Sequence, residues 1–335
     1  MSTGTVKEIP GIHRLKIPIP ETSLQYVNVY LVEGNNGYLL VDTGWDNSTA
    51  FDSLKRQLDE VGIAFKDISK ILVTHIHPDH YGLVGRLKQL SGAEFALSDQ
   101  EQKMIHARYI NMDDLLQRTT DLLQMNGVPA RELPGLQKAS LPVVKYVAPT
   151  YPDVVLHNGE TYSNGVFNFQ VVWTPGHSQG HLCLYGPTRK ILLSGDHILP
   201  TITPNIGLHP QSGENPLGDF IDSLNKTDQL AIELILPGHE NPFTGIKSRI
   251  KKLMQHHHQR ISNILETMEA KTKTAYQIAK GITWLPDIGG VSLQNLPPLH
   301  KRLAILETLS HLEFMRANGE VDKFSADGVI YYRRR

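Results

Sequence analysis

The chain has 335 residues, of which 40% are hydrophobic and 20% are charged. This profile is typical of a globular protein and excludes a disordered or fibrous chain. Lys and Arg (33) nearly balance Asp and Glu (34), which gives a net charge of −1. The chain therefore lacks the basic excess that is common among nucleic-acid-binding proteins.

The cellular compartment is indicated by two further features of the sequence. Cys183 is the single cysteine, so no intramolecular disulfide can form, which fits a reducing compartment. The N-terminal residues contain no apolar stretch of signal-peptide length, and no segment approaches the roughly 18 apolar residues that a membrane helix needs. We expect a cytoplasmic protein that does not enter a membrane.

The first 92 residues alternate between strand and helix patterns. Segments rich in β-branched and aromatic residues predict strands, and Gly34 to Gly37 supply a hairpin turn. Helical spacing of apolar residues predicts two helices, the second of which ends at Gly92. The predicted strands and helices are, in order, residues 12–20, 26–34, 37–44, 46–61, 68–74 and 81–90.

A helical segment separates this part from a second block of strands. Residues 99–140 have helical periodicity, interrupted at 127–129 and 134–135. The second block has four strands, a helix and a short strand, at residues 153–162, 166–177, 181–187, 190–199, 219–232 and 235–240. Two blocks of strands with helices beside each predict an α/β fold of two sheets flanked by helices, an αββα sandwich.

The sequence changes character after residue 245. Residues 246–269 predict a long amphipathic helix, and two further helices are predicted at 272–281 and 299–317. The chain ends in two short strands around Asp327 and Gly328. We therefore divide the chain into residues 1–245, with a helical insert at about 99–140, and residues 246–335, a linking helix and a winged-helix-like domain.

Four potential metal ligands occur within six residues of the segment Thr-His-Ile-His-Pro-Asp-His. His75 and His77 follow a predicted strand and alternate, so both can point to one place, and Asp79 and His80 can reach a second place nearby. Imidazole and carboxylate groups bind borderline divalent metals readily. The segment therefore predicts a metal site at the end of a strand.

Three later segments repeat one pattern, in which an apolar strand is followed by a turn and a potential ligand. These ligands are His177, Asp196 and His239. A lone histidine in such a loop is most often an ordinary loop residue, but the combination with the first segment is not expected by chance. The sequence thus predicts two sets, His75, His77 and His177 for one metal and Asp79, His80 and His239 for another, with Asp196 as a bridge.

The order of these motifs resembles the metallo-β-lactamase superfamily. The resemblance rests on Val-Asp-Thr-Gly with Asp42, Thr-His-Ile-His-Pro-Asp-His, Thr-Pro-Gly-His-Ser-Gln-Gly-His, Ser-Gly-Asp-His-Ile-Leu and Leu-Pro-Gly-His-Glu, and it spans roughly residues 10–245. It implies the αββα fold, a catalytic domain at residues 1–245 and the ligand assignment given above. It also implies a supporting role for Asp42 beside the ligands. The tail is similar to the winged-helix extension of one subgroup.

A dinuclear hydrolase mechanism follows from this resemblance. Two divalent ions, for which zinc is favoured over iron or manganese, would lower the pKa of a shared water and generate a hydroxide that bridges them. Asp79 would orient the nucleophile and move its proton to the leaving group. No serine or cysteine nucleophile is required.

The predicted substrate is a small molecule with a thioester, a lactone or a related carboxylic ester bond. A phosphodiesterase or endoribonuclease with the same dinuclear site is the alternative, although the balanced charge makes a long nucleic acid an unfavourable partner. A minor alternative is a metal-sensing DNA-binding regulator. The C-terminal domain could serve a homodimer, substrate binding or stability.

Overall fold

One large sheet forms the first half of the sandwich. The fold is described from a computed structural model, for residues 6–20, 24–269, 271–285 and 289–335. The strands of this sheet are β1 (Val6–Ile9), β2 (Ile12–Pro18), β3 (Tyr26–Gly34), β4 (Gly37–Val41), β5 (Ile68–Leu72), β6 (Glu94–Ser98) and β7 (Val154–Leu156). They lie in chain order, antiparallel up to β4 and parallel from β4 onwards.

Helices connect the parallel strands and cover the outer face of this sheet. They are α1 (Ser48–Glu60), α2 (Pro78–Tyr81), α3 (Val84–Ser91) and α4 (Asp99–Ile105). The helical insert continues with a π-helical turn at His106–Ile110, then α5 (Asp113–Met125), α6 (Leu133–Gln137) and α7 (Leu141–Val144). Side chains from this sheet and from α1, α3 and α4 form one continuous apolar layer.

The second sheet has five strands: β8 (Thr161–Ser163), β9 (Asn168–Trp173), β10 (Leu182–Gly186), β11 (Ile191–Gly195) and β12 (Leu234–Pro237). Along the chain, α8 (Pro216–Asp228) lies between β11 and β12. The order in the sheet is β12-β11-β10-β9-β8, in which the β11–β12 pair is parallel and the other pairs are antiparallel.

The two sheets pack face to face. Leu39 and Leu72 of the first sheet meet Val171 and Leu193 of the second in one buried cluster. The opposite face of the second sheet packs against α8 and the following helix, where Phe220 is fully buried. Apolar residues on both faces of each sheet therefore produce the predicted αββα layering.

The C-terminal elements share a core with the insert. They are α9 (Ile246–Met268), α10 (Ala275–Gly281), α11 (Pro298–Ala317) and the hairpin of β13 (Val321–Ala326) and β14 (Val329–Arg334). Leu123 and Leu136 of the insert belong to the same buried cluster as Ile264, Ile278 and Leu309. The helices and the hairpin were predicted; the domain boundary at residue 245 and the winged-helix character remain predictions.

Some local predictions were wrong. The helix predicted at 81–90 is α3, preceded by the separate turn of α2, although it ends at Gly92 in the left-handed region (φ 70°) as expected. Strand β6 was not predicted. Pro134 lies in the first turn of α6 rather than at a break, since proline is tolerated where no helical N–H bond is lost.

Within the described residues, no helix is both long enough and apolar enough to cross a bilayer.

Candidate metal centre

Four loops at one edge of the sandwich carry the predicted ligands. His75 and His77 lie in the loop after β5, and α2 begins directly after His77. The single turn of α2 presents Asp79 and His80. The other ligands follow β9, β11 and β12: His177, Asp196 and His239.

The first predicted ligand set comes together as expected. Nδ1 of His77 lies 2.9 Å from Nε2 of His75 and 3.0 Å from Nε2 of His177. His75 is fully buried, whereas His77 and His177 are partly accessible. Three ring nitrogen atoms therefore lie close together, and the three residues could hold a metal ion.

The second set lies beside the first. Oδ2 of Asp79 is 3.2 Å from Nε2 of His239 and 3.7 Å from Nε2 of His80. His80 and His239 are buried, and the Asp79 side chain keeps 16% of its surface exposed. These three residues also form a group that could hold a metal ion.

Asp196 lies between the two sets. Its Oδ2 is 3.6 Å from Nε2 of His177, on the first set. Its Oδ1 is 3.5 Å from Nε2 of His80 and 3.5 Å from Nε2 of His239, on the second. Each carboxylate oxygen thus faces a different set, which is the placement that the bridging role requires.

Three polar atoms of the candidate ligands are buried without a hydrogen-bond partner. Nδ1 of His80, His177 and His239 donates, respectively, to the Asp42 carboxylate at 2.8 Å, the Asn205 carbonyl at 3.0 Å and the Tyr26 carbonyl at 2.9 Å. Each Nε2 therefore points into the site. Among the described residues, Nε2 of His80, Nε2 of His239 and Oδ1 of Asp196 are buried without a hydrogen-bond partner. Burying a polar atom without a partner costs free energy. These nitrogen and oxygen atoms are therefore suited to bind divalent ions.

The electrostatics differ between the two sets. Burial, followed by the charge of His80, lowers the pKa of His75 well below its ordinary value. Burial also lowers the pKa of His77 and of His177. At the second set, burial opposes protonation, but Asp196 and Asp79 raise the pKa of His239 to about 10. The first set is therefore neutral and ready to ligate, while the carboxylates of the second attract a cation.

Asp42 has the supporting position that the resemblance implies. It follows β4 with a left-handed backbone (φ 63°), a conformation that aspartate tolerates better than most residues. Its Oδ1 accepts a hydrogen bond from the Thr74 backbone N–H at 2.8 Å, while Oδ2 accepts the His80 bond. One buried carboxylate thus fixes the loop before His75 and the orientation of His80.

Glu101 is a supporting residue that sequence reasoning missed. It lies in the first turn of α4 and is fully buried. Its carboxylate accepts from the backbone N–H of Ile76 at 2.8 Å, from the N–H of Gly180 at 2.8 Å and from the Ser178 hydroxyl at 2.5 Å. Ile76 lies between two ligands and Ser178 follows a third, so Glu101 joins the two loops of the first set. Glu101 lies outside the short motifs that carry the candidate ligands, so no motif pointed to it.

A second contact that the sequence did not reveal connects α11 to the site. The Asn205 carbonyl that accepts from His177 belongs to a residue whose side-chain amide donates to Glu307 at 3.1 Å. Arg260 of α9 donates to the same carboxylate at 3.1 Å. The C-terminal helices therefore contact the loop that orients a ligand, which sequence spacing could not reveal because more than 100 residues separate Asn205 from Glu307.

The fold and the histidine-rich edge together place the chain among the metal-dependent hydrolases. Residues 23–239 match the family model of the metallo-beta-lactamase superfamily, and the chain belongs to this superfamily. The chain is 24% identical over 329 residues to a probable metallo-hydrolase, YqjP, of Bacillus subtilis, and the match covers 95% of this chain and 96% of that protein.

Two other relatives extend the comparison. Human acyl-coenzyme A thioesterase MBLAC2 is 28% identical over 229 residues, or 64% of this chain and 74% of that protein. The crystal structure of a metallo-beta-lactamase family protein from Thermus thermophilus is 31% identical and superposes with a TM-score of 0.84. The superposition covers 98% of this chain and all of that one, so the C-terminal elements are included in the match.

Proposed function

We propose that the chain is a dinuclear hydrolase that cleaves an acyl thioester. In this proposal His75, His77 and His177 would hold one divalent ion, and Asp79, His80 and His239 would hold a second, with Asp196 available to both. Zinc is favoured because three imidazoles, or two with a carboxylate, suit its coordination. The observation that carries the proposal is the position of Asp196, with one oxygen toward each set.

The chemistry divides between the ions and the chain. Two bound divalent ions supply Lewis acidity and lower the pKa of water toward neutrality. Asp79 is the carboxylate ligand with the larger exposed fraction, 16% against 11% for Asp196. Its more accessible carboxylate would accept a proton from the attacking water and pass it to the leaving group.

The thioester is supported by a relative of the chain. The human relative is named an acyl-coenzyme A thioesterase. In hydrolysis the carbonyl carbon gains the water oxygen and loses the sulfur, and the proton from water ends on the departing thiolate. Cys183 takes no part, because it is fully buried and burial raises the pKa of its thiol to about 12.

A substrate panel tests this proposal. Metal-loaded protein should hydrolyse an N-acetylcysteamine or coenzyme A thioester with a higher kcat/KM than a matched lactone or bis(p-nitrophenyl) phosphate. A chelator should abolish the activity, and returned Zn²⁺ should restore it. Faster cleavage of the phosphodiester would overturn the thioester assignment in favour of the phosphodiesterase alternative.

A further inference from the structure

The peptide unit that joins Gly195 to Asp196 is held from both sides. Its carbonyl, on Gly195, accepts a hydrogen bond from the backbone N–H of Gly238 at 2.8 Å. Its N–H, on Asp196, donates to Nε2 of His181 at 3.1 Å in a buried contact. Gly238 directly precedes a candidate ligand of the second set, and His181 lies shortly after a candidate ligand of the first. The plane of this peptide is therefore fixed between the loops of both ligand sets.

Gly195 allows His181 to approach the backbone this closely. It ends β11 with a left-handed backbone (φ 48°), a conformation that glycine adopts without a steric penalty. A Cβ atom at this position would lie 2.6 Å from Nε2 of His181 and 2.9 Å from Oγ1 of Thr74. The imidazole therefore packs directly against the turn that carries Asp196.

The hydrogen bonds of His181 define which ring nitrogen carries the proton. Nε2 accepts from a backbone N–H and therefore has no proton of its own, so the ring proton lies on Nδ1. Nδ1 lies 2.8 Å from Oγ1 of Thr174 and donates to it. The Thr174 hydroxyl has acceptors for its own hydrogen at 3.4 Å, in the His181 carbonyl and in Sγ of Cys183. Thr174 therefore stabilises the tautomer in which Nε2 of His181 is an acceptor.

His181 lies beside the candidate ligands without being one of them. It is fully buried, and its ring centroid is 5.1 Å from that of His75. Both of its nitrogens are already engaged, one with Thr174 and the other with the backbone of Asp196. A ring in this state has no nitrogen left for an ion, so its effect on the site passes through Asp196.

The direction of the Asp196 carboxylate depends on this peptide. Its Oδ2 is 3.6 Å from Nε2 of His177, and its Oδ1 is 3.5 Å from Nε2 of His80 and of His239. The side chain leaves the backbone at the Cα atom next to the N–H that His181 accepts. A rotation of the peptide plane would therefore move both carboxylate oxygens together, away from both ligand sets.

We propose that His181 is a positioning residue that holds the Asp196 carboxylate between the two ligand sets, with Thr174 fixing the tautomer that this requires. The inference rests on the dinuclear part of the proposed function and does not depend on the thioester. Residues that orient metal ligands typically change metal affinity about 10- to 100-fold. Because Asp196 faces both sets, loss of His181 weakens the binding of both metal equivalents.

Stepwise Zn²⁺ dissociation constants of the full chain, measured in competition with a chromophoric chelator, test this role. His181→Leu removes the acceptor and keeps a buried side chain of similar size, and both constants should rise at least ~tenfold. Thr174→Val removes the acceptor for Nδ1–H, so the ring proton can move to Nε2 and oppose the Asp196 N–H. Both constants should then rise at least ~threefold, a smaller part of the same effect. Constants within about twofold of wild type in both variants would overturn the proposal.

Two further variants separate positioning from packing. His181→Gln places an amide oxygen near the position of Nε2 and should bind both ions more tightly than His181→Leu. Thr308→Val removes a fully buried hydroxyl that bonds to the Ala304 carbonyl within α11 at 2.9 Å. It should lower the Tm and leave both dissociation constants unchanged. If His181→Leu also lowers only the Tm, His181 serves packing and the proposal is wrong.

A measurement without metal separates this inference from the proposed function. Nitrogen-15 spectra of the metal-free full chain, labelled at histidine and assigned with His181→Gln, report which ring nitrogen carries the proton. We expect Nδ1 in the wild type and a shift toward Nε2 in Thr174→Val. A proton on Nε2 of the wild type would overturn the role of His181 whatever the metal content. Two Zn²⁺ equivalents that bind equally well to wild type and His181→Leu overturn this inference alone, whereas a wild type that binds one equivalent overturns the dinuclear function and this inference with it.

Discussion

Oδ2 of Asp42 accepts a hydrogen bond from Nδ1 of His80 at 2.8 Å, and both side chains are buried. This bond fixes the tautomer of His80 so that its Nε2 faces Asp196 and Asp79. The Asp42–His80 hydrogen bond thus orients the His80 ring toward the site.

Asp42→Asn should weaken metal binding about 10- to 100-fold, because an amide cannot accept as strongly from both Thr74 and His80. The measurement is the Zn²⁺ dissociation constant in competition with a chromophoric chelator. Asp46→Asn is the matched control, since Asp46 makes a surface ion pair with Arg86 at 3.7 Å. An unchanged dissociation constant in Asp42→Asn would show that His80 is oriented without Asp42.

The two ligand sets predict two metal ions per chain. Protein purified without chelators and reloaded with Zn²⁺ should approach two equivalents by elemental analysis, since each set offers three candidate ligands and Asp196 has one oxygen toward each set. A firm value of one equivalent after reloading with excess Zn²⁺, Mn²⁺ or Fe²⁺ would refute the dinuclear arrangement.

Asp79→Asn should lower kcat by at least ~10²-fold, because it removes a charged ligand and a proton acceptor together. Metal content is measured beside the rate, so that loss of metal is not mistaken for loss of proton transfer. His157→Gln, at an exposed histidine outside the ligand loops, should be nearly neutral. Turnover by Asp79→Asn within about threefold of wild type would rule out the role assigned to Asp79.

Glu101→Gln should distort the first ligand set, because a side-chain amide cannot accept from three donors as the carboxylate does. We expect at least tenfold weaker binding of one metal equivalent and an altered visible absorption spectrum of the Co²⁺-loaded protein. Glu94→Gln is the control, since Glu94 lies at the surface beside Lys70. A wild-type Co²⁺ spectrum in Glu101→Gln would mean that Glu101 does not position the ligands.

Ending the chain at residue 270 should destabilise the remainder. The truncation uncovers Leu123 and Leu136 of the insert, which pack in the cluster that contains Leu309, and removes Glu307 from Asn205. We expect a lower Tm and aggregation, since large buried apolar surface becomes exposed. A truncated protein with the Tm and metal content of the full chain would instead support residues 1–245 as an independent domain.

Much of the fold could be predicted because its strands and helices carry strong local signals. Apolar strands such as β11 and the helix start at Thr274, with Gln277 completing the capping box, are set by neighbours a few residues apart. The candidate ligands could be proposed for the same reason, because each lies in a short and distinctive motif that follows a strand.

The sequence by itself therefore determined the αββα class and the seven candidate ligands. Only the tertiary structure decided that Asp196 directs one oxygen to each set, that Glu101 joins two ligand loops, and that Glu307 contacts Asn205. The reason is physical: periodicity reports contacts along a helix or strand, whereas these relationships depend on how sheets, insert and C-terminal helices pack across long separations in the chain.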